Sequence, residues 1–133
     1  MCLTTAKRLT RPQQREIVMT CLYQYLLRDI DLDTLFEDNL QLHDKDSIPY
    51  IVETTVETIN NMDDYIERID TYLTEWSFDR LGYVAKAILM MATHEILHDG
   101  EKKVVYVNEA VELAKTYCDD ETYKLINGVL DQL

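Results

Sequence analysis

The segment "MMATHEILHDG" (90–100) contains two histidines and a glutamate, His94, Glu95 and His98, in the pattern H-E-x-x-H. On a helix this spacing puts both imidazoles on one face, where they can bind zinc, and the glutamate can act as a base toward zinc-bound water. A catalytic zinc also needs a third protein ligand. The only other histidine, His43, stands at no recognisable zinc-ligand spacing, although 25 carboxylates are available. A zinc hydrolase is therefore one hypothesis.

The helical wheel of this segment argues against that hypothesis. At about 100° per residue, the apolar stripe of a helix over residues 78–98 is set by Leu81, Ala85, Ile88, Ala92 and Ile96. Glu95 falls within the stripe and is predicted to point inward, His98 lies near its edge, and His94 is predicted to face solvent or a partner. An inward Glu95 needs a hydrogen-bond partner, for which a tyrosine or lysine on a neighbouring helix is a candidate. We therefore predict no metal and no catalytic residue.

The composition favours a single all-α domain over residues 1–133. The chain has 47% apolar residues but only three glycines and two prolines, so turn-forming residues are few. It contains no apolar run long enough for a membrane span, no apolar signal core and three cysteines without metal or redox spacing, which predicts a cytoplasmic protein with reduced thiols. Periodicity and caps predict six to seven helices, at about 10–28, 33–42, 47–76 with an interruption at 60–64, 78–98, 107–117 and 121–132.

Charge is distributed unevenly along the chain. The net charge is −12, yet residues 1–15 carry four cations and no acid, which leaves −16 on the remainder. We predict a flexible basic arm at residues 1–10 that can contact phosphate, on a body that repels nucleic acid and attracts a basic partner. The alternative is that these cations only keep the terminus soluble.

Three segments, taken in chain order, resemble a known family. They are "RPQQREIVMTCLYQYLL" (11–27), "WSFDRLGYVAKAILMMATHEIL" (76–97) and "VNEAVELAKTYCDDETYKLINGVLDQL" (107–133), and they are similar to signature segments of the NusB family. The resemblance implies an all-α fold of two helical sub-bundles, with no enzymatic activity and no cofactor. It also implies binding to the ribosomal protein NusE and to boxA-type single-stranded RNA, within the RNA polymerase antitermination complex on ribosomal RNA operons.

The basic arm and the resemblance together predict a set of RNA-binding residues. These are Lys7, Arg8, Arg11, Arg15, Tyr23, Tyr117, Glu121 and Lys124. The resemblance also implies that Asn108 caps a helix and that Gly128 allows close helix packing. Three departures from the family pattern are expected to weaken RNA contact: Pro12-Gln13 interrupts an arginine run, Met90 replaces an arginine, and Leu125 replaces a phenylalanine.

Two alternatives to the adaptor function stay open at this point. One is a protein-interaction module of the same fold that does not bind RNA, and the other is the zinc hydrolase built on His94, Glu95 and His98. Some members of the family pair into homodimers, and the sequence does not decide whether this chain does.

Overall fold

The computed structural model describes residues 8–41 and 43–133, and seven α-helices with two 3₁₀ turns make up the regular structure of this part of the chain. The helices are α1 (Arg11–Leu27), α2 (Leu32–Leu40), α3 (Ile48–Asn60), α4 (Met62–Thr71), α5 (Tyr83–His98), α6 (Lys103–Tyr117) and α7 (Asp120–Gln132). This confirms the predicted all-α class. Lys7, Cys2 and most of the expected basic arm lie outside the described residues, as does Leu42 at the expected end of the second helix.

The start of α1 follows from three residues within one turn, Thr10, Pro12 and Gln13. The Thr10 hydroxyl accepts a hydrogen bond from the Gln13 backbone N–H at 3.3 Å, and the Gln13 side chain accepts one from the Thr10 N–H at 2.9 Å. Pro12 occupies the first turn, where a missing N–H costs nothing. Pro12 and Gln13, which interrupt the arginine run of the family pattern, thus form the beginning of this helix.

Aspartates begin two other helices in a similar way. Asp31 accepts from the Thr34 backbone N–H and Asp119 from that of Thr122, each at 2.8 Å. These hydrogen bonds to Thr34 and Thr122 stabilise the charged carboxylates and lower the pKa of both aspartates. The acidic cluster at 119–121 therefore serves to start a helix, as its position in the sequence suggests.

Helix α5 lies at the centre of the fold. It packs against α1, α3 and α4 on one side and against α6 and α7 on the other, so it is shared by two sub-bundles, as expected from the resemblance. Eleven of its sixteen residues are buried, including every residue from 87 to 96, so a single core-facing stripe does not describe it. The prediction that His94 faces solvent is wrong for this reason, since His94 is only 6% exposed.

The segment before α5 also differs from prediction. Ser77 was expected to begin one helix over 78–98, but a 3₁₀ turn at Phe78–Arg80 comes first and α5 begins after Gly82. The Phe78 ring is buried, and its backbone N–H donates to Asp70 Oδ1 at 2.7 Å. Burial of the Phe78 ring in the core fixes the 3₁₀ turn, and α5 therefore begins later in the sequence than predicted.

Two scaffold roles implied by the resemblance are not found. Helix α6 begins at Lys103, several residues earlier than predicted, so Asn108 lies inside the helix and does not cap it. Gly128 is exposed on α7, and a β-carbon there would meet no atom within 4 Å. Close helix packing does not require this glycine, and nothing in the structure explains it.

The central position of α5 predicts where truncation costs most. Ile88→Ala, at a side chain with no exposure, should lower the free energy of unfolding by about 2–5 kcal/mol because it leaves a cavity. Val104→Ala on α6 is the control, since that side chain is 74% exposed and its loss should change stability by less than about 0.5 kcal/mol. Urea unfolding followed by circular dichroism measures both, and similar losses would contradict the central role of α5.

Candidate functional site

Two exposed arginines lie at the start of α1. The Arg11 guanidinium carbon is 3.8 Å from the centroid of the Tyr50 ring, so the cation is held over an aromatic face. Arg8 lies 3.7 Å from Asp46, but both side chains are more than 80% exposed, and such a pair contributes little to stability. The Leu9 backbone N–H donates to Asp44 at 3.0 Å and fixes the chain between the two arginines. Both cations are accessible to a phosphate.

Arg15 behaves differently, because it lies under this surface in a buried ion pair. Its Nε lies 2.9 and 3.2 Å from the two carboxylate oxygens of Glu95, and the Tyr50 hydroxyl donates to Glu95 Oε2 at 2.9 Å. Burial lowers the pKa of Arg15, but the hydrogen bond and charge of Glu95 outweigh it, and the pKa is raised. Glu95 therefore points inward as predicted and has a tyrosine partner as expected, while Arg15 was not foreseen as its partner.

This geometry corrects the expectation that Arg15 meets RNA directly. The residue is 7% exposed, and moving its guanidinium to a phosphate would leave a buried carboxylate without its counter-charge. The guanidinium also lies 5.4 Å from the Tyr106 ring, whose hydroxyl donates to Asp99 at 2.9 Å. Arg15 thus joins α1 to α5 and α6, and it positions the helix that carries Arg11.

Tyr117 is the last residue of α6 and lies beside α1. It is 49% exposed, and its hydroxyl donates to Glu16 of α1 at 2.7 Å. This hydrogen bond and the charge of Glu16 raise the pKa of Tyr117. A groove beside α1 is lined by three acids, Glu16, Glu109 and Glu112. Phosphate is therefore attracted on the side of Arg8 and Arg11 and repelled on the other side of α1.

Tyr23 supports a second aromatic residue. Its half-buried ring meets that of Tyr83 edge-on, with centroids 6.5 Å apart. Tyr83 is 43% exposed, and Lys86 Nζ lies 5.0 Å from its ring. Tyr83 and Lys86 thus present the accessible ring and charge here. This pair was not among the predicted residues, although a tyrosine and a lysine three residues apart on one helix are a visible signal.

The two residues predicted on α7, Glu121 and Lys124, are both exposed. Glu121 lines a groove of about 220 Å³ together with Trp76, Arg80 and Leu125. Trp76, at 44% exposure, is a large accessible ring that the sequence analysis did not select. In this groove the carboxylates of Glu121 and Asp119 oppose phosphate binding, and Arg80 supplies a favourable charge.

The structure bears on two sequence interpretations of α5, the expected loss of an RNA contact at Met90 and the zinc-hydrolase alternative. Met90 has no exposure, so its side chain cannot reach RNA and its replacement of an arginine removes no phosphate contact in this structure. Glu95 is held by Arg15 and Tyr50, so it cannot act as a base toward a metal-bound water. His94 is buried with Nδ1 2.8 Å from the Tyr65 hydroxyl, and burial, with the neighbouring His98, lowers the pKa of His94. The geometry therefore argues against the H-E-x-x-H hydrolase.

Comparison with known proteins gives one consistent result. The family model described as the NusB family matches residues 12–133. The transcription antitermination protein NusB of Wolinella succinogenes is 35% identical over 129 residues, covering 93% of each chain. The solved structure of T. maritima NusB superposes with a TM-score of 0.84 at 31% identity, covering 95% of this chain and 91% of that one. A chain from a complex of the antitermination factors NusB and NusE with double-stranded RNA superposes with a TM-score of 0.81 at 25% identity, covering 93% of this chain and 96% of that one.

In the part of this chain that the structure describes, no helix is long and apolar enough to cross a membrane.

The buried ion pair predicts a specific mutational pattern. Glu95→Gln keeps the shape but leaves Arg15 charged and without a counter-charge, so the free energy of unfolding should fall by about 3–5 kcal/mol. The double variant Arg15→Met with Glu95→Leu removes both charges and should be less destabilised than the sum of its single variants. Urea unfolding of the unchanged protein, Arg15→Met, Glu95→Leu and the double variant gives the coupling energy. Additive losses would mean that the two side chains do not stabilise each other.

Proposed function

The chain belongs to the NusB family, and on that premise we propose that it is a non-enzymatic transcription antitermination factor that binds RNA together with the ribosomal protein NusE. The observation that carries the proposal is the family match over residues 12–133. The fold shared with the NusB–NusE–RNA complex supports it further, because the similarity extends over 93% of this chain.

The charge distribution supports a shared binding surface. A protein with a net charge of −12 repels RNA over most of its surface, and the two exposed arginines at the start of α1 can neutralise only a few phosphates. A basic ribosomal protein would be attracted to the acidic body and would add the missing positive charge. We propose that high-affinity RNA binding by this protein requires NusE for that reason.

We propose that RNA phosphates are contacted on the surface that carries Arg8 and Arg11, with Lys7 of the preceding segment, and that the exposed Tyr117 ring beside Glu16 contacts a base. Arginine can pair with phosphate, and an exposed tyrosine ring can stack on an unpaired base. Arg15 acts by positioning α1 and does not contact the RNA. The outer part of the RNA-binding surface would be formed by two further groups. One is Tyr23, acting through Tyr83 and Lys86, and the other is the α7 pair Glu121 and Lys124.

The RNA class and the setting of this function follow from the same family membership. We propose boxA-type single-stranded RNA as the ligand, because its unstacked bases suit tyrosine stacking. We propose that the protein acts in the cytoplasm within the RNA polymerase antitermination complex on ribosomal RNA operons. A homodimer that covers the RNA-binding surface is an additional proposal, and sedimentation of the free protein at several concentrations tests whether the dimer forms.

Charge reversal at the start of α1 tests the RNA surface. In the presence of NusE, Arg8→Glu with Arg11→Glu should weaken binding of a boxA oligonucleotide by about tenfold or more, because two phosphate-facing cations become repulsive. The slope of log affinity against log salt should also fall, by about 0.7 for each lost contact with a single strand. Fluorescence anisotropy over a salt series measures both quantities.

The matched control is Arg28→Glu, an exposed change at the opposite end of α1, about 25 Å from Arg11 at 1.5 Å per residue. Its RNA affinity should stay near that of the unchanged protein. If the double variant and the control bind RNA equally well, the proposed surface is wrong. If the unchanged protein binds NusE but no RNA at any salt concentration, the chain is a protein-interaction module, and the RNA function itself is overturned.

A further inference from the structure

We propose that His94 and His98 of α5 and Glu57 of α3 form a binding site for a divalent transition-metal ion of the zinc class. One donor atom from each residue lies within 4.8 Å of the other two. His94 Nε2 lies 3.7 Å from Glu57 Oε1. Ligand atoms around a tetrahedral zinc with bonds of about 2.0–2.1 Å are about 3.3 Å apart, so small side-chain rotations bring the three together.

The second nitrogen of each imidazole is already held by a neighbour. His98 Nδ1 lies 2.9 Å from the carbonyl oxygen of His94, which only accepts hydrogen bonds, so Nδ1 carries the proton and Nε2 keeps its lone pair. His94 Nδ1 lies 2.8 Å from the Tyr65 hydroxyl, and a proton on this nitrogen likewise leaves Nε2 free toward Glu57. Metal-binding histidines are generally oriented in this way by an outer partner.

The burial of the three residues suits a site that opens to solvent on one side. His94 is buried, Glu57 is half-buried and His98 is exposed. His94 is therefore fixed by packing, whereas the side chains of Glu57 and His98 reach solvent and can make the small rotations that close the set. The His94 and His98 rings are already adjacent, with centroids 4.1 Å apart.

The ligand set indicates the class of ion. Two imidazoles and one carboxylate suit zinc, nickel or copper, whereas calcium and magnesium prefer oxygen ligands throughout. Three protein ligands leave a coordination position for water. Glu57 of another helix supplies the third ligand. The site differs from an H-E-x-x-H hydrolase because Glu95, which would have to act as the base, is held in its ion pair with Arg15. The ion would tie α3 to α5, and through Tyr65 it would also fix α4.

Metal titration of the full chain tests the site independently of RNA. The background is the Cys2→Ser, Cys118→Ser protein, since thiolates are strong zinc ligands; Cys21 stays because it is buried. After chelator treatment, calorimetric titration should show one equivalent of bound zinc. The melting temperature should rise with zinc and not with magnesium, because an ion that binds only the folded state stabilises it.

The variants identify the ligands one by one. His98→Ala changes an exposed side chain and should abolish saturable zinc binding, and Glu57→Gln should weaken it while keeping the shape of the side chain. Tyr65→Phe should weaken binding by about 10- to 100-fold, as is usual for outer partners of a metal ligand. His43→Ala, at the remaining histidine, is the matched control and should bind zinc like the background protein.

Three results would overturn the proposal. They are the absence of a zinc-dependent rise in melting temperature, unchanged zinc affinity in both His98→Ala and Glu57→Gln, and an equal loss of affinity in His43→Ala. Far-UV circular dichroism shows whether each variant is folded. If His98→Ala does not fold, Glu57→Gln alone decides, since that residue is half-buried and its amide is isosteric.

Discussion

The buried ion pair between Arg15 and Glu95 is the interaction on which the remaining arrangement depends. It lies where α1 crosses the central helix, and its outer partners, the Tyr50 hydroxyl and the Tyr106 ring, bring α3 and α6 to the same point. A buried pair of this kind need not add net stability over an apolar substitute, but either charge without the other is very costly. The pair therefore favours one placement of α1 on α5, and that placement orients the exposed arginine of α1.

Tyr50 links this placement to the exposed surface, because it contacts both the buried ion pair and Arg11. Its hydroxyl donates to Glu95 on the buried side, and its ring supports the Arg11 guanidinium on the exposed side. A shift of α1 would separate Arg11 from this ring as well as breaking the ion pair. The positive charge available to a phosphate is thus held by a rigid scaffold, and less of its conformational freedom is lost when it binds.

The sequence predicted the helices well and the environment of side chains less well. Caps and prolines are local signals, so the start of α1 at Thr10 and the break near residue 61 were predicted correctly. The helical-wheel prediction that His94 faces solvent was wrong, because a wheel assumes one buried face and α5 is enclosed by helices from both sub-bundles. The ion pair of Arg15 was not predicted, because charge alone does not reveal that a carboxylate 80 residues away lies opposite it. The residues Glu57 and His94 come together only through packing of α3 on α5, which no local pattern contains.

The excess of tyrosine, nine residues against two phenylalanines, has a physical explanation in these contacts. The hydroxyls of Tyr50, Tyr106 and Tyr117 donate to Glu95, Asp99 and Glu16, and that of Tyr65 meets His94. A chain with 25 acids and 13 basic residues has too few cations to pair each carboxylate. A tyrosine hydroxyl is a neutral donor on an apolar ring, so it satisfies a carboxylate at a helix interface and also contributes to packing. Arg11 has no carboxylate partner in the described part of the chain, so its charge, held over the Tyr50 ring, stays available at the surface.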